Sequence, residues 1–81
     1  MSSFYYVYLL RSTRGDHHYA GLTEDLQDRL RRHQAGEVAH TSKFRPWELA
    51  TAIAFRDKGR ALAFERYLKS GSGRAFAKRH L

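Results

Sequence analysis

The chain has no cysteine, a single proline and no apolar run near the ~18 residues that a membrane-spanning helix needs. Without cysteine there is no disulfide framework, no thiol catalysis and no thiolate zinc site. The opening Met1-Ser2-Ser3-Phe4 has neither the basic stretch nor the cleavage site of a secretory signal. These absences lead us to expect a cytoplasmic protein without covalent staples. Length is short as well. The 81 residues fit one domain over 1–81, and a chain of this size buries only ~60% of its unfolded surface. Large apolar side chains are therefore needed in the core, and a roomy buried pocket for a small-molecule cofactor is not expected.

Acidic residues are also scarce: eight Asp and Glu against fifteen Lys and Arg give a formal charge of +7. Eleven of the fifteen cations are Arg, whose planar guanidinium suits bidentate contacts to phosphate. Nucleic acid is the partner such a surface favours. A membrane surface is not, because no segment pairs a strong apolar face with a basic one.

The pattern of residues predicts α+β architecture. Phe4 to Leu10 (FYYVYLL) reads as a strand, Ser12 to Asp16 as a turn, and His18 to Leu22 as a second strand, forming an antiparallel hairpin. Thr23 is placed to cap a helix that runs to about Ala35 and stops at Gly36. Residues 37–45 read as a loop closed by Pro46, and Trp47 to Phe55 as a third strand. Arg60 to Lys69 returns to helical spacing, Ser70 to Gly73 interrupts, and Arg74 to Leu81 forms a basic terminal helix. The order β-β-α-β-α-α implies a small, mainly antiparallel three-stranded sheet flanked by helices.

Three charged positions fall on apolar helical faces. Arg29 and His33 share the side of the first helix marked by Leu26 and Leu30. They are either a snorkelling Arg with a His at a fraying end, or a functional pair. Glu65 lies between Ala61 and Leu62 around the later helix, where a carboxylate needs a cation. That cation is either Arg29 or Arg66 in a salt bridge, or a metal ion such as Mg²⁺, which accepts one or two carboxylates and keeps several waters. Four of the five tyrosines lie in the first hairpin, where Tyr8 and Tyr19 can project into one site if the strands pair. His40 shares its loop with Thr41, Ser42, Lys43 and Arg45, a set suited to phosphate contacts.

These residues together resemble the GIY-YIG nuclease superfamily, most closely its small single-domain bacterial (YhbQ-like) members. Tyr6-Val7-Tyr8 stands where the family has its first tripeptide and Tyr19-Ala20-Gly21 where it has its second. Arg29 and His33 follow at the family's offsets, Phe44 to Leu49 resembles the segment before the third strand, and Ala63 to Gly71 resembles the stretch around the metal-binding Glu. Tyr6 takes the place of a Gly, Ala20 that of a bulky aliphatic residue, and the family's late Asn has no counterpart, since the chain contains no Asn.

The resemblance implies a metal-dependent DNA endonuclease of the GIY-YIG fold, acting in repair or recombination. Its site would be Tyr8, Tyr19, Arg29, His33 and Glu65, with Glu65 holding one Mg²⁺ or Mn²⁺. The alternative is a nucleic-acid-binding module of the same fold with little or no turnover. Either would grip DNA through Arg31, Arg32, His40, Lys43, Arg45, Lys69, Arg74 and Lys78. With no second DNA-reading domain, low sequence specificity and a preference for single-stranded or branched DNA are expected, aided by stacking on Tyr5, Phe44 or Trp47. Binding is expected to weaken steeply with salt, because each phosphate contact releases counterions. An isotherm unmoved between low and moderate salt contradicts this expectation.

Overall fold

The computed structural model describes residues 3–81. Strands β1 (Tyr5–Ser12) and β2 (His18–Thr23) form the expected antiparallel hairpin, and β3 (Trp47–Phe55) pairs antiparallel with the other edge of β1. The sheet order is β2-β1-β3, with β1 central. Helices α1 (Leu26–Ala35), α2 (Lys58–Leu68) and α3 (Gly71–His80) complete the α+β architecture, and one 3₁₀ turn (Ser42–Phe44) lies in the long loop.

Alternation along β1 splits the core into two clusters, one on each face. Val7 packs with Ala20, Ala61 and Leu68 under α2 and α3, joined by Leu9, Phe55, Phe64 and Ala77. Tyr8 and Leu10 pack on the opposite face with Trp47, Leu26, Leu30 and Phe44, under α1 and the long loop. β3 crosses between the faces by a bulge. Leu9 pairs with Thr51 and Leu10 with Leu49, so Ala50 is the extra residue. Strict alternation would put Trp47 on the side of Thr51 and Phe55; the bulge turns it onto the face of Tyr8.

Three sequence-based boundaries shift, each for a local reason. Asp25, not Thr23, caps α1: its carboxylate accepts from the Asp28 N–H at 3.1 Å. Thr23 instead closes a turn, its Oγ1 accepting from the Asp25 N–H at 3.1 Å. α2 begins at Lys58 because Asp57 caps it, and α3 begins at Gly71 because the Ser70 hydroxyl accepts from the Gly73 N–H. The Ser70–Gly73 stretch is therefore a cap and first turn rather than an interruption. Gly73 is required by packing. A Cβ there would overlap the Tyr67 carbonyl at the end of α2.

Gly73→Ala is expected to cost ~2 kcal/mol or more, since backbone cannot move aside as a side chain would. In a domain of this size that lowers the melting temperature by roughly 10 °C. Gly71, two residues earlier, has open space around its Cβ position, so Gly71→Ala is expected to be neutral or slightly stabilising. Equal melting temperatures for the two variants contradict the packing argument.

Candidate active site

The first two site residues are brought together by strand register. Tyr8 sits opposite Gly21 and Leu10 opposite Tyr19, so Tyr8, Tyr19 and Gly21 share a face. The Tyr8 ring lies directly over Gly21, where any Cβ would collide with the phenol. Only glycine allows that approach. The two tyrosine rings lie 6.3 Å apart between centroids.

His33 comes from the last turn of α1, which Gly36 ends in the left-handed conformation (φ 79°). Its ring is 1% exposed and packs 5.7 Å from Tyr8 and 5.1 Å from Tyr19. Both ring nitrogens have partners. Nε2 is 2.8 Å from the Tyr8 hydroxyl and Nδ1 is 2.8 Å from Thr41 Oγ1. Thr41 Oγ1 also reaches the Val38 carbonyl, which can only accept, so the threonine donates there. Its oxygen then accepts from His33 Nδ1–H, and the Nε2 lone pair accepts from the Tyr8 O–H. For a neutral imidazole, the form that burial favours, the network therefore puts the proton on Nδ1.

Both burial and neighbouring charge act on this chain. Burial pushes the Tyr8 phenol from 10.0 up to about 12, helped by Tyr19 and Glu65 and opposed by the charge and hydrogen bonding of Arg29. Tyr8 therefore stays a phenol. Burial also holds the His33 pKa below its ordinary value, and the nearby Arg29 cation lowers it further. Arg29 is thus within hydrogen-bonding reach of Tyr8, and the Glu65 charge is felt there too, although α1 and α2 pack on opposite faces of the sheet.

Glu65 has an ion pair, but with neither Arg29 nor Arg66. Lys69 Nζ lies 3.2 Å from its Oε2 and 6.0 Å from the Tyr19 ring centroid. The side chain is 18% exposed, so its oxygens reach water, and Mg²⁺ accepts one or two carboxylates while keeping several waters. Among the described residues no three His, Asp or Glu side chains cluster as a metal cage. Glu65 thus fits a metal held by one carboxylate and water.

The other sequence candidates divide into engaged and free groups. Arg31 pairs with Asp28 and Glu37, and Arg32 with Asp28. Arg45 lies over Gly36 and donates to the carbonyls of Ser42 and Gln34, so it fastens the loop to the end of α1. His40 and Lys43 are exposed in the loop, and Arg74 and Lys78 on α3 have no ion-pair partner among the described residues. Trp47 cannot stack on a base, because it is 4% exposed and its indole N–H donates to the Thr41 carbonyl at 2.7 Å. Phe44 stacks on His17, and Tyr5 packs into the α2 side of the core.

Sequence reading overlooked the support of the His33 ring. Thr41 is fully buried, and Gln34 grips the backbone of Trp47, accepting from its N–H at 2.9 Å and donating to its carbonyl. The sequence signal was a threonine in a polar loop, indistinguishable from a solvated one.

Comparison with known proteins agrees with this arrangement. The GIY-YIG catalytic domain matches residues 4–79. A UPF0213 protein of Cupriavidus pinatubonensis is 39% identical over 62 residues, which span 75% of this chain and 68% of the relative. The chain belongs to the GIY-YIG family, whose domain is a nuclease-type fold. It is similar to the family's small members, and no helix among its described residues is long and apolar enough to cross a membrane.

Stability is expected to fall at both ends of the pH scale. The unfolded chain protonates His33 near its ordinary 6.5 while the fold resists it, so stability is lost as pH drops below that value. At the other end, Tyr8 ionises near 10.0 unfolded and near 12 folded, so stability is lost above pH 10.0 by on the order of 2–3 kcal/mol. Thermal melts across pH check both limbs. A midpoint that rises on acidification below 6.5 contradicts the assignment of a neutral His33.

Proposed function

We propose that this chain is a metal-dependent DNA endonuclease that hydrolyses phosphodiester bonds with low sequence specificity, on single-stranded or branched DNA. Repair or recombination is the setting in which such substrates arise. The observation that carries this reading is that one cation and one carboxylate act on the buried Tyr8 phenol, whose ring neighbours that of Tyr19. Arg29 and Glu65 arrive from opposite faces of the sheet and both act on Tyr8. A structural core has no need of that combination, whereas phosphoryl transfer needs a donor for the phosphate, a metal ligand and a group that orients water.

The roles follow from exposure. Arg29 is half-buried and donates to the non-bridging phosphate oxygens, where charge grows in the transition state. Tyr19 is half-exposed and orients the attacking water with its hydroxyl. Tyr8 and His33 are closed off from solvent at 0% and 1%, so they act as positioning residues that hold Arg29 and Tyr19 in place. Glu65 would hold one Mg²⁺ or Mn²⁺, which when bound stabilises the leaving oxygen as a Lewis acid. Holding it, Glu65 would no longer need Lys69, whose ammonium would then be free for phosphate. His40, Lys43, Arg74 and Lys78 supply exposed charge for the backbone of the substrate, with Arg31, Arg32 and Arg45 able to add to it at the rims of their own contacts.

The test is cleavage of matched single-stranded, duplex and branched DNA with and without Mg²⁺. Glu65→Gln is expected to reduce cleavage to background, and Arg29→Ala to slow it by roughly 10²–10³. Tyr19→Phe is expected to slow it by about 10² or more, with a melting temperature close to that of the parent. Cleavage that survives chelation, or that Glu65→Gln leaves intact, rules the reading out. Binding of every substrate without turnover assigns the chain to the binding-module alternative.

A further inference from the structure

A cleft of about 780 Å³ opens on the side of the sheet covered by α2 and α3, beside the edge strand β2. That lies within the ~300–1,000 Å³ of sites that take small ligands. Its floor is aliphatic, built from Leu9, Ala20, Leu68 and Ala77. The rim is cationic: Lys69, Arg74 and Lys78 all line it, against Asp16 as the one acidic lining residue. Arg11, also at the rim, is already held by Glu48 at 2.9 Å. Arg74 and Lys78 are not held by any carboxylate among the described residues, and they stand four apart on α3, one above the other along the helix.

The cleft is not isolated from the candidate active site. Tyr19 and Lys69 belong to both: they line the cleft, and Lys69 meets Glu65 and the Tyr19 ring. Tyr19, on the edge strand β2, and Lys69, bonded to Glu65, are thus the residues at which a strand bound at Glu65 would meet the cleft. An apolar floor under a row of unpaired cations matches the two surfaces of an unstacked nucleotide, the base and the phosphate.

We infer that this cleft binds a single-stranded nucleotide segment continuous with the strand held at the candidate active site, base on the aliphatic floor and phosphates on Arg74 and Lys78. The inference rests on the nuclease reading for what occupies the neighbouring site, and it narrows the substrate to DNA with an unpaired stretch at the cut. A flush duplex leaves the cleft empty.

The test is a binding ratio, measured by fluorescence anisotropy in chelator so that nothing is cut. The probes are a hairpin duplex with a blunt end and the same hairpin with a short unpaired tail. The parent protein is expected to bind the tailed probe about tenfold more tightly. Arg74→Glu/Lys78→Glu is expected to bring that ratio close to one. Lys58→Glu/Arg60→Glu makes the same change in charge at exposed positions at the start of α2, so it lowers both affinities while keeping the ratio. No preference in the parent, or a preference that survives Arg74→Glu/Lys78→Glu, overturns the inference. Cleavage without tail preference removes the cleft assignment alone. Tail preference without cleavage keeps the cleft and removes the hydrolytic reading.

Discussion

The hydrogen bond between the Tyr8 hydroxyl and His33 Nε2, 2.8 Å long and closed off from solvent, is the contact on which the site depends. It joins the central strand to the end of α1 across twenty-five positions of sequence. A buried polar pair of this kind is costly if either member loses its partner, and Thr41 satisfies the one nitrogen that Tyr8 leaves free. Much of the surrounding structure serves that arrangement. Gly21 gives the phenol its space, the β3 bulge turns Trp47 inward, Trp47 holds the Thr41 carbonyl, and Gln34 holds the backbone of Trp47.

The same bond explains why Arg29 is poised. Arg29 hydrogen-bonds the Tyr8 phenol that this bond fixes, and it has no ion-pair partner among the described residues. A half-buried cation in that setting suits the phosphate-binding role proposed for it. The basic surface elsewhere is less uniform than its net charge suggests. Arg11, Arg31 and Arg32 are tied to carboxylates, whereas Arg74 and Lys78, beside the cleft, have no ion-pair partner among the described residues.

Much of this was visible in the sequence, for identifiable reasons. The spacing of Tyr8, Tyr19 and Gly21 is readable because a hairpin converts short separation into direct pairing. Arg29 and His33 are readable because one helical turn separates them on an apolar stripe, and Glu65 because a carboxylate sat among alanine and leucine. What stayed hidden depends on long-range contacts. Thr41 and Gln34 look like solvated loop and helix residues until Trp47 packs against them. Ala50 carries no mark of a bulge, so the side to which Trp47 turns could not be read. The glycines of Ser70–Gly73 suggest a break, because sequence does not reveal that Gly73 must approach the Tyr67 carbonyl.

The most direct measurement is the ¹⁵N chemical shifts of the His33 ring in the free protein as pH is varied. A neutral ring with its proton on Nδ1 at pH 7, resisting protonation to below the ordinary value of 6.5, is the predicted result. A ring protonated on Nε2, or an imidazolium at pH 7, would contradict the Tyr8–His33–Thr41 chain and the positioning of Arg29 that follows from it.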